Sequence, residues 1–395
     1  MTPNVRDKLC DIDHLLDEEY TTVKIKMTKK VTVEMVNDPT TKTDGKKMTE
    51  RKYVEVERDL TILKDPVSFI TRIIQERGIY PPDAMKRISI DGGDNSMKFI
   101  LNVFDRNQDP EITFPKVEKK GNLCSGVNRS IVLAYCEDLE ENYSNCRIIM
   151  ELLRVDELDS VIAADYKLLN ILLGLSGHGG KFACIYCEAP KGLEVGIIRT
   201  FSGITEQAQA YKGAGANPKN MMKFKNVLNL PLINVQNNQP IWHAIPIPEL
   251  HSLMGCTNHP LELLRKYLEK LGLEEELWLW CDGHGVTRRG YNGKNKLDGN
   301  NSTRFLSCVY ELKMATWFPG EAEPIVDILL QLERVKDKCF GWELKDGWRE
   351  AIHLYTSMFS ELQIYSSMFL GELLTVTWKI HSICCHLEDF LDKVL

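Results

Sequence analysis

Two cysteines at C-x-x-C spacing, Cys184 and Cys187, have their natural counterpart far along the chain in a histidine pair, His381 and His386. A C-x-x-C turn offers two thiolates to one tetrahedral cation, and a Cys/His set split over so many residues can close only inside a folded domain. The spacing therefore predicts a zinc site that staples a fold, not a self-contained finger. On an ideal helix, residues five apart point about 140° away from each other, so joint ligation by the histidines calls for a helix end or a distortion between them. Cys384 and Cys385, inside the HSICCH run, are rival ligands, and so is His178 in SGHGGKFACIYC. For the histidines the simplest alternative is core packing, and for His178 a glycine-rich loop.

A chain of 395 residues can bury one large core or two to three smaller ones. The start, MTPNVRDKLCDIDHLL, lacks the layout of a signal peptide, and no stretch reaches the roughly 18 apolar residues of a membrane span. The expectation is an intracellular protein with no membrane partner, whose 12 scattered cysteines are mostly reduced thiols. A net charge of −7 argues against a whole-surface grip on nucleic acid, which draws on many Lys and Arg contacts to phosphate. Local basic clusters remain at Lys24–Lys30, Lys42–Lys52, Lys116–Lys120 and among Arg288, Arg289, Lys294 and Lys296, each read more simply as a solvated face or loop.

Alternating residues in VKIKMTKKVTVEMV and KYVEVERDLTIL, separated by NDPTTKTDGKK, predict a hairpin-like, strand-rich appendage over residues 1–64. Asp65-Pro66 opens a short helix that Gly78 ends. Then follow RISID (Arg87–Asp91), MKFILNVF (Met97–Phe104), SIVLAYC (Ser130–Cys136), a helical stretch Glu141–Arg154 and SVIAAD (Ser160–Asp165). Strand, strand, strand, helix, strand is the order of a ribonuclease-H-like core, placed over residues 65–176. A Cys-pair zinc-binding segment, 177–247, precedes a helical His-pair region, 248–395, with Cys281–Arg304 read as a loop or insertion. The fold class expected is α/β plus α, with a zinc-stapled, largely helical C-terminal region.

Asp91 and Asp165 close the first and fourth strands of that core, where neighbouring strands aim two carboxylates at one hard cation, Mg2+ or Mn2+, of the kind used in phosphodiester chemistry. Each also has a local explanation, since Asp91-Gly92-Gly93-Asp94 suits a tight turn and Asp165 suits a helix cap. No nucleophile elbow, phosphate-binding loop or HExxH motif occurs, and GAGANP falls short of a dinucleotide fingerprint.

Together SIDGG, AADYKLLNILLG, FACIYCEA, IPELHSLMG and KIHSICCHLEDFL resemble the catalytic core of the V(D)J recombinase large subunit and its Transib-type transposon relatives, from about Lys86 to the C-terminus. The similarity lies in order and spacing more than in residue identity. It implies that Asp91 and Asp165 are the first two catalytic members of an Asp-Asp-Glu triad, with Mg2+ or Mn2+ as catalytic cofactor. It implies Cys184, Cys187, His381 and His386 as ligands of a structural zinc. DNA, a homodimer and the nucleus are the partners and location it implies. The family's glutamate lies a helix and loop beyond the second histidine, whereas this sequence stops at Leu395, nine residues after His386. Glu388 comes too early and Glu249 is a reserve candidate. The expectation is a truncated or degenerate transposase-like chain, with a non-enzymatic zinc-stabilised DNA- or protein-binding remnant as the alternative.

Overall fold

In the computed structural model, which describes residues 19–34, 49–107, 130–177, 179–233, 238–287, 296–341 and 343–394, the chain divides into two units. The first comprises Met1–Gly174 with Asn229–Asn237 and the second Leu175–Leu228 with Asn238–Leu395.

In the first unit the alternating N-terminal runs form β1 (Tyr20–Glu34) and β2 (Thr49–Leu63), paired antiparallel along their full length. This hairpin is not a separate appendage, because β2 continues into the main sheet by pairing Leu60–Ile62 with Ala134–Cys136 of β5 (Ile131–Glu137). The outer strand is protected locally. Asn145 is fully buried, accepts from Thr28 N at 2.8 Å and donates to Thr28 O at 2.9 Å, so a side chain replaces a missing neighbour strand.

Asp65 caps α1 (Pro66–Glu76), its carboxylate accepting from Ser68 N at 3.1 Å, and Gly78 follows with φ 64°. Next come β3 (Ala84–Asp91), β4 (Ser96–Asp105) and, beyond β5, α2 (Tyr143–Leu153), β6 (Val161–Ala163) and α3 (Tyr166–Leu172). The sheet order is β1-β2-β5-β4-β3-β6. β3, β4 and β5 form an antiparallel meander, and β6 lies parallel to β3, Arg87–Ser89 facing Val161–Ala163. A parallel neighbour needs a crossover, which α2 supplies. Alternate residues of β3 and β4 (Ile88, Ile90, Phe99, Leu101) are buried, as are Ile149 and Leu153 of α2 and Leu168, Leu169 and Leu172 of α3. The last strand is shorter than SVIAAD suggested, because Asp165 has left the sheet to cap α3.

The second unit carries α4 (Phe201–Gly213), α5 (Glu249–Leu271), α6 (Glu274–Gly283), α7 (Gly299–Lys313), α8 (Glu323–Cys339), α9 (Trp348–Tyr365) and α10 (Trp378–Val394). The long α5 buries Leu253, Cys256, Leu261, Leu264 and Leu268 and packs against α7, α8 and α10. Cys281–Arg304 is not all loop: α6 runs to Gly283, and α7 starts at Gly299. Asp298 accepts from Asn301 N at 2.8 Å, turning the polar GNNS run into a capped first turn, after which Phe305, Leu306, Val309 and Leu312 bury one helix face. Among the described residues no helix is long and apolar enough to cross a membrane.

Candidate metal centre

The C-x-x-C turn sits at the head of an irregular hairpin. Glu188 N donates to Ile197 O and Arg199 N to Tyr186 O, both at 2.8 Å, so residues 197–199 return alongside the cysteines. Gly196 is required by that close return, since a Cβ there would lie 2.4 Å from Ala189 N. Within the turn Tyr186 N donates to Cys184 Sγ and Ala189 N to Cys187 Sγ, each at 3.4 Å. Backbone N–H groups aimed at both sulfurs favour thiolates.

From the other side α10 brings its histidines. Cys184 Sγ lies 3.4 Å from His386 Nε2, Cys187 Sγ 3.3 Å from His381 Nε2, and the two Nε2 atoms are 3.1 Å apart. A tetrahedral zinc with arms of about 2.3 Å to sulfur and about 2.0 Å to nitrogen needs S···N of about 3.5 Å and N···N of about 3.3 Å. The donor set and its spacing fit such a divalent ion. All four donor atoms fall within 4.8 Å of one another, and the four residues are 0–2% exposed, so water does not compete. Of the two arrangements expected, a helix end or a distortion, the structure has no distortion: α10 runs unbroken through both histidines, with His381 in its first turn and the two ring centroids 4.9 Å apart.

The supports of the two histidines differ. His381 Nδ1 donates to Gly192 O at 2.8 Å, which fixes the tautomer and leaves Nε2 free to ligate. His386 is held by rings instead, with Tyr186 at 5.5 Å and Trp242 at 6.2 Å, while its Nδ1 has no partner among the described residues. Burial pushes the Cys184 thiol well up. The hydrogen bond with Cys184, followed by those with His381 and His386, pulls the Cys187 thiol down against burial. Burial lowers the pKa of His386, which disfavours its charged form. For His381 burial is outweighed by Cys187, Cys385 and the Gly192 carbonyl, and its pKa is pushed up to about 10. A divalent cation binding here would displace the protons of the thiols and of any charged imidazole.

Arg199 was not singled out in the sequence, where it is a lone cation in GIIRTF. It is 2% exposed; its Nε donates to Cys184 O at 3.0 Å and Cys187 O at 3.1 Å, and its Nη2 to Phe182 O at 3.0 Å and Lys225 O at 2.8 Å. One guanidinium thus fastens the metal turn to the segments on both sides of it, and its positive charge interacts electrostatically with Cys184 and Cys187. Of the rival ligands, Cys385 turns its thiol to Leu193 O at 3.2 Å, Cys384 stands outside the cluster, and His178 lies outside the described residues.

The aspartates belong to the first unit. Ser89 pairs with Ala163, and Asp91 and Asp165 each stand two residues further on, so both leave the same end of neighbouring parallel strands. Their carboxylates have local work: Asp91 accepts from Gly93 N at 3.3 Å, and Asp165 caps α3 by accepting from Leu168 N at 2.7 Å. Glu141 packs against Gly92 and is paired with Lys167. Among the described residues the Cys2His2 set is the only cluster of three or more metal-ligating side chains. Glu388 is bonded to His353 at 2.6 Å, and Glu249 opens α5.

No protein-family model matches the chain, and no curated protein matches it in sequence.

Proposed function

We propose that this chain is a zinc-stapled protein of the DDE transposase and recombinase type, descended from a metal-dependent DNA-cleaving and strand-transferring enzyme and now catalytically degraded. The observation that carries the reading is the closure of Cys184, Cys187, His381 and His386 into one buried, tetrahedrally spaced set. It joins the two motifs whose separations underlie the family resemblance. When bound, zinc supplies a four-point cross-link between the C-x-x-C hairpin and α10. The meander β5-β4-β3, crossed by α2 to the parallel β6, supports a ribonuclease-H-like core.

Within that reading Asp91 and Asp165 are the remnant of the catalytic pair that held Mg2+ or Mn2+. Two carboxylates already engaged by local N–H groups hold a hard cation poorly, and no third acid joins them among the described residues. The use of Asp165 as a helix cap favours, as the second reading, a non-enzymatic remnant that binds DNA or a protein. The test is incubation of the purified, zinc-loaded chain with supercoiled and linear duplex DNA in Mg2+ or Mn2+. The expected result is one zinc per chain with neither cleavage nor strand transfer. Metal-dependent transesterification that disappears in Asp91→Ala would overturn the degraded-enzyme reading, and a chain that folds without zinc would overturn the staple.

A further inference from the structure

The chain as a whole is acidic, yet residues 175–228 carry seven basic side chains against three acidic ones, a surplus of four, which leaves a surplus of eleven acids elsewhere. The fold gathers this charge on one part of the second unit. Lys181 and Lys225 both approach the ring of Phe182, their Nζ atoms 5.4 and 4.5 Å from its centroid. Lys225 directly follows the short 3-10 helix Pro218–Phe224, which bears Lys219 and Lys223. The ring of Phe224 packs on Tyr211 of α4 at 5.5 Å, which ties that turn to Lys212 at the end of α4. Lys181, Lys212, Lys219 and Lys223 are exposed and Lys225 is half-buried.

These five lysines also differ from most of the others in their partners. Among the described residues none has a carboxylate within ion-pair distance, whereas Lys24, Lys29, Lys167, Lys313, Lys345 and Lys393 are all paired. Unneutralised ammonium groups gathered in one part of a negatively charged protein orient it towards a polyanion. Between Lys212 and Lys219 the exposed chain is Gly213 to Pro218, small side chains that let a partner's backbone come close. Phe182, half-buried beneath two cations, holds Lys181 and Lys225 beside each other by cation–π contact. A membrane surface would call for a row of exposed apolar side chains, and between Lys212 and Lys225 the one large apolar side chain that is exposed is Met222.

We propose that Lys181, Lys212, Lys219, Lys223 and Lys225, with Phe182, form a binding surface for the phosphodiester backbone of nucleic acid. The surface rests on the nucleic-acid reading above and gives it a location, in the unit that holds the metal centre. Recognition is through phosphate, so it is sequence-tolerant and steeply salt-dependent.

The experiment is fluorescence anisotropy of the full, zinc-loaded chain with labelled single-stranded and duplex oligonucleotides over about 50 to 200 mM salt. Two charge-matched triple variants are compared. Lys212→Glu/Lys219→Glu/Lys223→Glu alters only exposed patch positions, while Lys24→Glu/Lys345→Glu/Lys393→Glu reverses exposed, ion-paired lysines elsewhere. Zinc content and melting temperature check that each variant is folded. The expected result is a loss of at least about tenfold in affinity and a flatter salt dependence for the patch variant, with the control within about twofold of the parent. Equal losses in both variants, an unaltered patch variant, or a parent chain that binds anionic phospholipid vesicles but no nucleic acid would each overturn the proposal. The staple is judged independently, since zinc content reports on it whatever the oligonucleotides do.

Discussion

The two groups of candidate ligands are built in opposite ways. The Cys2His2 set is buried, its sulfurs accept backbone N–H groups, one histidine is fixed by Gly192 O, and Arg199 fastens the turn from behind. The aspartate pair sits at a sheet end, with Asp91 exposed and each carboxylate bonded to a nearby backbone amide. Supporting contacts around ligands are what hold a metal geometry; the sulfur and nitrogen donors converge on one point with theirs, whereas each carboxylate has one local amide and belongs to no cluster of three or more ligands among the described residues. A chain that retained its scaffold and lost its chemistry would carry this asymmetry.

The largest expected effect comes from removing a donor at the supported site. Cys187→Ser or His381→Ala is expected to abolish stoichiometric zinc and to unfold the second unit, because structural zinc contributes on the order of 10 kcal/mol to folding. Metal analysis and circular dichroism melting check this. A variant that keeps equimolar zinc and melts within about 2 °C of the parent would break the comparison at its stronger end. Next in size is Arg199→Met, which leaves four carbonyls without their donor and is expected to cost about 3–5 kcal/mol in urea denaturation. Faster zinc transfer to a chelator should accompany it; unchanged transfer would mean that the guanidinium fastens the surrounding chain and not the metal turn. The smallest effects belong to the aspartates. Asp165→Ala is expected to cost about 1 kcal/mol by loss of the α3 cap, and Asp91→Ala about 0.5 kcal/mol or less, with zinc content unaltered in both. Losses several times larger would reveal a stabilising role for the carboxylates that their contacts do not show.

What the sequence made legible follows from how local the physical demands are. C-x-x-C at residues 184–187 and two histidines five apart carry the requirements of a tetrahedral ion in their spacing, and Asp65-Pro66 and Gly78 mark helix ends by backbone chemistry alone. Arg199 carried no such mark, because one cation in an apolar run does not announce that it will be buried among carbonyls. Polar composition hid the start of α7, where Asp298 converts an apparent loop into a capped helix. Charge was misleading for a related reason. Lys24–Lys30 is a run in sequence, but in β1 Lys24 pairs with Glu57 and Lys29 with Asp138. Of the five patch lysines, four lie within residues 212–225 but are diluted there by Gly, Ala and Asn, and Lys181 joins them only through Phe182.

The separation of 194 positions from Cys187 to His381 also sets a timetable. At a translation rate of about 5–20 residues per second, the dithiol turn waits roughly 10–40 s for its histidines to be synthesised. During that interval the turn is an open bidentate thiol, able to oxidise to a disulfide or to take up another thiophilic ion before α10 arrives. On the zinc-staple proposal, the yield of correctly assembled protein would depend on reductant and zinc supply while the chain is being made, and metal added afterwards would reach only those copies whose cysteines have stayed reduced.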